Sequence, residues 1–247
     1  MAKRRFGRRG RSSGTAGVVA CLVFVAVVAA LLITRVFVLK NVRVVAEGDV
    51  LYEEAVSRSG LILGQNIFSV DTQKLAAAFE YDGRMKLLSA QVEYPDTVSL
   101  SIKRRQPSAL VDNLGVWILV DDHCEVISHQ SALSSGALPV VTGVSVSGCV
   151  TGKPLSSNVF GQIEALETML TALWKANAAS LVSELNVSNL ETLYMVTRGG
   201  MMVEIGDTKN MDEKVLWMTS MLDTLAQEGK NGGTLDVTSG TFAIYAP

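Results

Sequence analysis

Residues 16–34 have the sequence AGVVACLVFVAVVAALLIT, a run of 19 residues that contains no charged side chain. A helix rises about 1.5 Å per residue, so this run would be about 28 Å long, close to the hydrocarbon thickness of a bilayer. Backbone inside lipid must satisfy its own hydrogen bonds, and a helix does this within one segment. We therefore predict a single transmembrane helix over residues 16–38.

Basic side chains flank the predicted span unequally. Six precede it closely, namely Lys3, Arg4, Arg5, Arg8, Arg9 and Arg11, and three follow it, namely Arg35, Lys40 and Arg43. The positive-inside rule then predicts a cytoplasmic basic tail (residues 1–15) and a single-pass type II protein of the plasma membrane, with its larger part outside. A cleaved signal peptide is the alternative, but the apolar run exceeds the usual h-region and lacks an A-x-A site near its end.

The formal charge of −2 is distributed unevenly along the chain. The first 34 residues hold six of the 22 basic side chains and no Asp or Glu, whereas residues 35–247 hold 16 basic and 24 acidic side chains and carry −8. An acidic exterior argues against a nucleic-acid partner, because phosphate binding needs a basic face. Cys124 and Cys149 would be exported, where a disulfide can form; two buried free thiols are the alternative.

The segment after the span predicts the order strand, helix, helix, strand, strand between residues 41 and 105. Alternating apolar residues predict strands at 41–48, 87–94 and 97–105, and helical spacing predicts helices at 51–61 and after residue 71. Gly60 supplies a helix stop, Asp71 an N-cap, and Pro95-Asp96 a tight turn between the last two strands.

Beyond residue 109 the pattern predicts a mostly antiparallel sheet with two covering helices, so the fold class is α+β. The helices are predicted at 159–175, with Ile163, Leu166, Leu170 and Trp174 as the buried stripe, and at 212–227. Strands are predicted at 109–111, 116–120, 125–127, 139–144, 181–187, 192–197, 201–205, 235–237 and 241–245. Residues 130–158 are rich in Ser and Gly and are otherwise predicted to be irregular.

Several motifs in this order resemble the FtsQ/DivIB family of bacterial cell-division proteins. The motifs are Ser59-Gly60-Leu61, Gly64-Gln65-Asn66-Ile67-Phe68, Asp71, the run from Ala90 to Val98, Pro107-Ser108-Ala109, and Val203-Glu204-Ile205-Gly206 followed by a helix with Lys214. The resemblance implies a membrane-proximal POTRA domain (residues 40–106) and a C-terminal β-domain (residues 107–247).

The resemblance also implies a function. A protein of this family would act as a bitopic scaffold of the divisome at the division septum. It would bind FtsB/DivIC-like and FtsL-like bitopic proteins outside the membrane and, through them, influence the septal peptidoglycan synthases FtsW and FtsI. A POTRA-bearing translocation or assembly factor is the alternative, although known translocases of that kind carry several POTRA units or an outer-membrane barrel.

Signatures of catalysis are weak throughout the sequence. His123, Cys124 and His129 are metal-ligating residue types, but in a strand the two histidines would share a face that Cys124 does not. Residues 143–148 nearly match the G-x-S-x-G nucleophile motif, but Ser147 stands where the second Gly belongs. Because the chain has only two histidines, acid–base catalysis has few candidates. We expect no enzyme, no metal site and no cofactor.

Partner binding is then expected at an exposed strand near the C-terminus, where another chain can add a strand. By resemblance, the partner-contacting residues would be Leu235, Asp236, Val237, Phe242, Ile244 and Tyr245. The alternative is that Leu235, Val237, Phe242 and Ile244 belong to the core, which leaves Asp236 and Tyr245 as surface positions. Arg104 and Arg105 are expected to form a second surface on the POTRA domain; a solvated strand face is the alternative.

Overall fold

The computed structural model describes residues 13–132 and 138–247. Its first element is helix α1 (Ser13–Arg35), which contains the apolar run. Within the part of the chain that the structure describes, no helix is both long and apolar enough to cross a membrane. The membrane span over residues 16–38 therefore stays a prediction, and most of the predicted basic tail lies outside the described residues.

The N-terminal unit follows α1 and comprises five main elements. They are β1 (Asn41–Glu47), α2 (Tyr52–Ser59), α3 (Thr72–Asp82), β2 (Met85–Glu93) and β3 (Thr97–Arg104). The sheet has the order β1-β3-β2, with β1 parallel and β2 antiparallel to β3. Phe79 of α3 belongs to the same buried core cluster as Leu100 and Ile102 of β3, and all three side chains are fully buried.

Local signals fix the ends of these elements where the sequence predicted them. The Asp71 carboxylate accepts hydrogen bonds from the N–H groups of Gln73 and Lys74, which caps α3. Gly60 ends α2 in the left-handed conformation (φ +67°), which costs glycine little. The turn between β2 and β3 contains Pro95, whose peptide bond to Tyr94 is cis.

The C-terminal unit is built on a nine-stranded sheet. Its strands are β4 (Ala109–Asn113), β5 (Val116–Val120), β6 (Val126–Gln130), β7 (Val140–Thr142), β10 (Val182–Asn186), β11 (Leu193–Thr197), β12 (Met202–Gly206), β13 (Thr234–Asp236) and β14 (Ile244–Ala246). The spatial order is β14-β13-β12-β11-β10-β7-β4-β5-β6. The pairs β4–β7, β7–β10 and β12–β13 are parallel and the other pairs are antiparallel, as a mostly antiparallel sheet requires.

Two helices, α4 (Gln162–Lys175) and α5 (Met211–Gln227), pack on the sheet and share its large apolar core. Leu166 and Leu170 of α4 are buried, as the predicted stripe requires. Trp174 was predicted to be buried with them, but it is 40% exposed. Its indole N–H donates to the Ser108 hydroxyl at the rim of the core, so the amphipathic ring keeps a polar partner.

The segment predicted to be irregular contains more regular structure than expected. Besides β7, it contributes a small antiparallel pair, β8 (Val146–Gly148) with β9 (Ser156–Ser157). The buried amide of Gln162 joins these loops to α4. It donates to the carbonyls of Gly143 and Val187 and accepts from the Ser145 N–H. No local sequence pattern predicts these contacts.

The two units meet through close backbone contacts and ion pairs. Gly152 lies so near the Glu80 carbonyl that a Cβ atom at this position would stand 1.8 Å from the oxygen. Beside it, the Lys153 ammonium contacts the Glu80 carboxylate at 2.6 Å. Arg105 lies in this junction and contacts Glu125 at 2.6 Å, and its side chain is 5% exposed. The junction therefore requires glycine at position 152.

We predict that Gly152→Ala destabilises the protein more than Gly115→Ala. Both glycines have a positive φ, +79° and +87°, but nothing lies within 4 Å of a Cβ at Gly115. The Gly115 variant should lose about 1–2 kcal/mol for the left-handed conformation alone, and the Gly152 variant a further 1–3 kcal/mol for overpacking. Chemical denaturation measures the difference; equal losses would show that the contact with Glu80 relaxes freely.

Candidate functional site

The nine-stranded sheet has two edges, and they differ. The edge formed by β6 is covered at its start, where Val126 exchanges backbone hydrogen bonds with Lys153 (2.9 Å) and Gly152 (2.8 Å). Gly83 of the N-terminal unit also approaches this strand, since a Cβ there would lie 2.2 Å from the Ile127 carbonyl oxygen. At the opposite edge, no strand of the described ranges pairs with the outer side of β14.

The register of β13 shows which backbone groups of β14 are open. The N–H and C=O of Leu235 face β12, as the parallel ladder between the two strands requires. The next residue, Asp236, therefore faces β14, where it pairs with Ile244. Because successive residues alternate, Tyr245 turns its N–H and C=O away from β13 toward the open side. An added strand would find a donor and an acceptor there.

The side chains of this C-terminal edge (residues 242–246) also alternate. Phe242 and Ile244 are 51% and 54% exposed, whereas Ala243 and Tyr245 pack against the core. The Tyr245 hydroxyl donates to the Gly232 carbonyl at 3.0 Å, which fixes its ring. The edge thus presents two apolar side chains on its solvent face beside an open backbone.

The six predicted partner-contacting residues separate into two groups. Leu235 and Val237 are fully buried, which agrees with the alternative that they belong to the core. Their side chains are therefore not accessible to a partner. Phe242 and Ile244 are exposed, while Asp236 and Tyr245 are partly exposed. Asp236 pairs across the ladder with Glu204, so two carboxylates stand side by side on the solvent face.

A buried lysine supports this edge from behind. Lys214 of α5 is 1% exposed, and its ammonium donates to the backbone carbonyl (2.9 Å) and the carboxylate (3.0 Å) of Asp207. The ammonium holds the pKa of Asp207 at about 2. Gly240, in the turn before β14, lies close to the Lys214 side chain. The lysine therefore ties α5 to the end of β12 and to the turn that sets the course of β14.

The predicted second surface does not form as expected. Arg104 is partly exposed and donates to the Asp49 carbonyl at 2.8 Å. Arg105 is buried in the junction between the units, so the two arginines do not make one exposed basic patch. Neighbouring residues of a strand point to opposite faces, and here the second face is covered by the C-terminal unit.

The possible disulfide between Cys124 and Cys149 is not present in the structure, where both are free thiols. Cys124 lies under α4, with its sulfur 3.9 Å from the Ile163 carbonyl oxygen, and burial raises the pKa of its thiol. Cys149 is partly buried and packs against the same core. The alternative of free thiols, at least partly buried, is therefore the one that the structure supports.

The histidines lie apart from one another. His123 Nδ1 is 2.9 Å from the Glu167 carboxylate, and this contact raises the pKa of His123. His129 instead faces the Thr151 hydroxyl at 3.5 Å. Across the residues that the structure describes, no three metal-ligating side chains come together. Among the predicted site residues that the structure describes, Asp236, Phe242, Ile244 and Tyr245 lie together with at least part of their surface exposed at the C-terminal edge.

The chain is similar in sequence to a known cell-division protein. The chain is 26% identical to the cell division protein FtsQ of Anaeromyxobacter sp. (strain K) over 186 residues, which cover 74% of this chain and 61% of that protein. The chain thus spans less than two thirds of the length of this relative. No family model matches the chain.

Among solved structures, the major extracytoplasmic domain of the trans isomer of the cell-division protein DivIB from Geobacillus stearothermophilus aligns with a TM-score of 0.34. The alignment has 12% identity and covers 50% of this chain and 96% of that chain.

The sequence match points to a class, the bacterial cell-division proteins. Together with the motifs between residues 59 and 109 it confirms the resemblance found in the sequence. The chain is therefore similar in sequence to the FtsQ/DivIB family.

The contact between Lys214 and Asp207 makes stability depend on pH. The folded-state pKa of Asp207 is about 2 and its ordinary value is 3.8, so the contact stabilises the fold fully above the ordinary pKa. That contribution is lost as the pH falls through these two values. We predict that Asp207→Asn loses less stability over this acidic interval than the unchanged protein, measured by urea unfolding at each pH.

The matched control for this prediction is Asp223→Asn. Asp223 is exposed and lies in α5, the helix that contains Lys214. It should keep the pH dependence of the unchanged protein. If Asp207→Asn shows the same acid dependence as the control, Lys214 does not hold the Asp207 carboxylate in solution.

Proposed function

We propose that this protein is a bitopic scaffold of the divisome, whose exterior part binds an FtsB/DivIC-like protein by strand addition at the C-terminal edge. The open backbone of β14 carries the proposal. Tyr245 offers an unpaired N–H and C=O there, and Phe242 and Ile244 add exposed apolar surface beside it. Main-chain hydrogen bonds supply affinity in such additions, and the alternate side chains supply selectivity.

The architecture of the chain supports the same proposal. The uncharged run of residues 16–34 in the sequence favours a membrane anchor over residues 16–38, with the N-terminus in the cytoplasm. The observed order of β1, α2, α3, β2 and β3 supports a POTRA domain over residues 40–106. The nine-stranded sheet with two helices supports a β-domain over residues 107–247. An FtsL-like protein would join the complex, and the scaffold would influence FtsW- and FtsI-type synthases indirectly at the septum.

The charges on the edge favour a particular partner strand. On the solvent face Ile244 continues the row of Asp236 and Glu204, two carboxylates on neighbouring strands. Like charges placed opposite each other destabilise a sheet, and a basic side chain on the added strand would relieve this repulsion. We therefore propose that the bound strand carries an apolar residue against Ile244 and a Lys or Arg within reach of Asp236. The proposed role involves binding and no chemical step.

The proposal predicts that Tyr245→Pro weakens partner binding much more than Tyr245→Ala. Both substitutions remove the tyrosine ring. Proline also removes the outward N–H of the backbone, which β13 does not use, whereas alanine keeps this N–H. The lost hydrogen bond alone is worth about 1 kcal/mol, or roughly fivefold in affinity, and the proline ring also obstructs an incoming strand. Calorimetric titration of residues 36–247 with the exterior segment of the cognate FtsB/DivIC-like protein measures both variants.

Circular dichroism and thermal unfolding should show both variants to be folded. Truncation after Gly233 is a poorer test, because it also removes the core residues Leu235 and Val237. Equal affinities of the proline and alanine variants would contradict strand addition at β14 and would leave the partner site elsewhere on the scaffold.

A further inference from the structure

Three aromatic rings from distant parts of the sequence meet at the start of the N-terminal unit. The ring centroid of Phe37 is 5.1 Å from that of Phe68 and 6.3 Å from that of Tyr94, and the last two are 5.3 Å apart. Phe68 is 56% exposed and Tyr94 is 60% exposed. The rings therefore pack on each other and still present much of their surface to the outside.

More exposed apolar side chains lie near these rings along the chain. Ile62 and Leu63, in the loop before Phe68, are 69% and 59% exposed, and Val36 is 39% exposed. We call the set of Val36, Phe37, Ile62, Leu63, Phe68 and Tyr94 the apolar cap. Single exposed apolar residues are common in soluble proteins, but a contiguous patch usually marks a surface that is covered by something else.

Backbone hydrogen bonds hold the apolar cap rigidly to the segment that leaves α1. The Ile67 N–H donates to the Phe37 carbonyl at 3.0 Å, and Leu39 exchanges two hydrogen bonds of 2.8 Å with Gln65 and Gly64. On the other side, the Lys40 N–H donates to the Asp96 carbonyl at 2.9 Å. The loop of residues 61–68 and the turn after Tyr94 are thus both fastened to residues 37–40.

The distance from α1 to the apolar cap is limited by the chain itself. Helix α1 ends at Arg35, and Phe37 is two residues further on. Two residues span at most about 7 Å, so Phe37 lies within about that distance of the helix end. If α1 spans a bilayer and ends at its surface, Phe37 lies close to the lipid headgroups, and the loop and turn that are hydrogen-bonded to residues 37–40 lie beside it.

We propose that the apolar cap is immersed in the interfacial layer of the outer leaflet and fixes the N-terminal unit against the membrane. This inference rests on the proposed function, because it requires α1 to span the bilayer. Aromatic side chains favour that layer, and the Tyr94 hydroxyl can stay hydrated while its ring is buried. The acidic groups at the rim, Asp96 and Glu93, are paired with Lys40 (3.5 Å) and Arg43 (3.3 Å), so unpaired carboxylates do not repel an anionic surface.

Docking of the apolar cap would also orient the rest of the exterior part. Strand β2 has nine residues and ends one residue before Tyr94. It is therefore about 30 Å long, and its first residue, Met85, lies at the far end of the N-terminal unit. Tyr81, which is 88% exposed near the end of α3, lies at this far end as well. When the apolar cap is docked, the far end of the N-terminal unit and the junction with the C-terminal unit are held away from the lipid.

The test uses the full chain, reconstituted in phosphatidylcholine vesicles, and an added tryptophan as the probe. Phe68→Trp places the probe in the apolar cap, and Tyr81→Trp places a matched probe at the far end. A lipid that carries a spin label near its headgroup quenches fluorescence only at short range. We expect this lipid to remove most of the added emission of Phe68→Trp, to remove none of that of Tyr81→Trp, and to leave the emission of the unchanged protein unaltered.

Two outcomes overturn the inference. Equal quenching of the two probes would show that the apolar cap has no special contact with lipid. A blue-shifted emission of Phe68→Trp that the labelled lipid does not reduce would show that protein, such as a second copy of the chain, covers the cap.

Alkaline carbonate washing of the vesicles separates failure of this inference from failure of the proposed function. A chain that remains with the vesicles has α1 inserted, so an unquenched probe then rejects the apolar cap alone. A chain that is washed off has no membrane anchor, which rejects the anchored scaffold and, with it, the docking of the cap.

Discussion

The parallel pairing of β12 with β13 is the constraint on which the C-terminal edge depends. Parallel neighbours cannot be joined by a tight turn, so the chain must cross over the sheet, and α5 is this crossover. Val215 and Met218 of α5 fill the core above the sheet, and Lys214 fixes the start of the helix to Asp207. Once β13 is set in this way, its remaining backbone groups pair with β14, and the other side of β14 stays open.

The two edges of the nine-stranded sheet differ in how far the rest of the chain covers them. Lys153, Gly152 and the nearby Gly83 cover the start of the β6 edge, and their positions depend on the junction between the units. Edge strands that remain open invite association with other chains, and natural proteins usually shorten them. Strand β14 has only three residues, which limits unspecific pairing, and the exposed side chains of Phe242 and Ile244 lie beside it.

The sequence predicted those features whose causes are local. The cap at Asp71, the stop at Gly60 and the turn at Pro95-Asp96 each follow from one or two residues, and the first helix of the β-domain follows from its spacing. The burial of Arg105 depends on Glu125 of the other unit, and the ring contacts of Phe37 depend on residues far along the chain. Such long-range contacts leave no periodic pattern in the sequence. For the same reason the sequence did not decide whether Leu235 and Val237 lie in the core. Alternating residues show that a strand has two faces, but they do not show what covers each face.

The orientation of three neighbouring amides tests the central claim most directly. Hydrogen exchange of residues 36–247, followed by NMR, should show slow exchange at Ile244 and Ala246 in the free protein, because their N–H groups face β13. The N–H of Tyr245 faces away from β13 and should exchange fast. Saturation with the exterior segment of the FtsB/DivIC-like partner should slow the exchange of Tyr245. Fast exchange of Tyr245 in the saturated complex would contradict strand addition at the C-terminal edge.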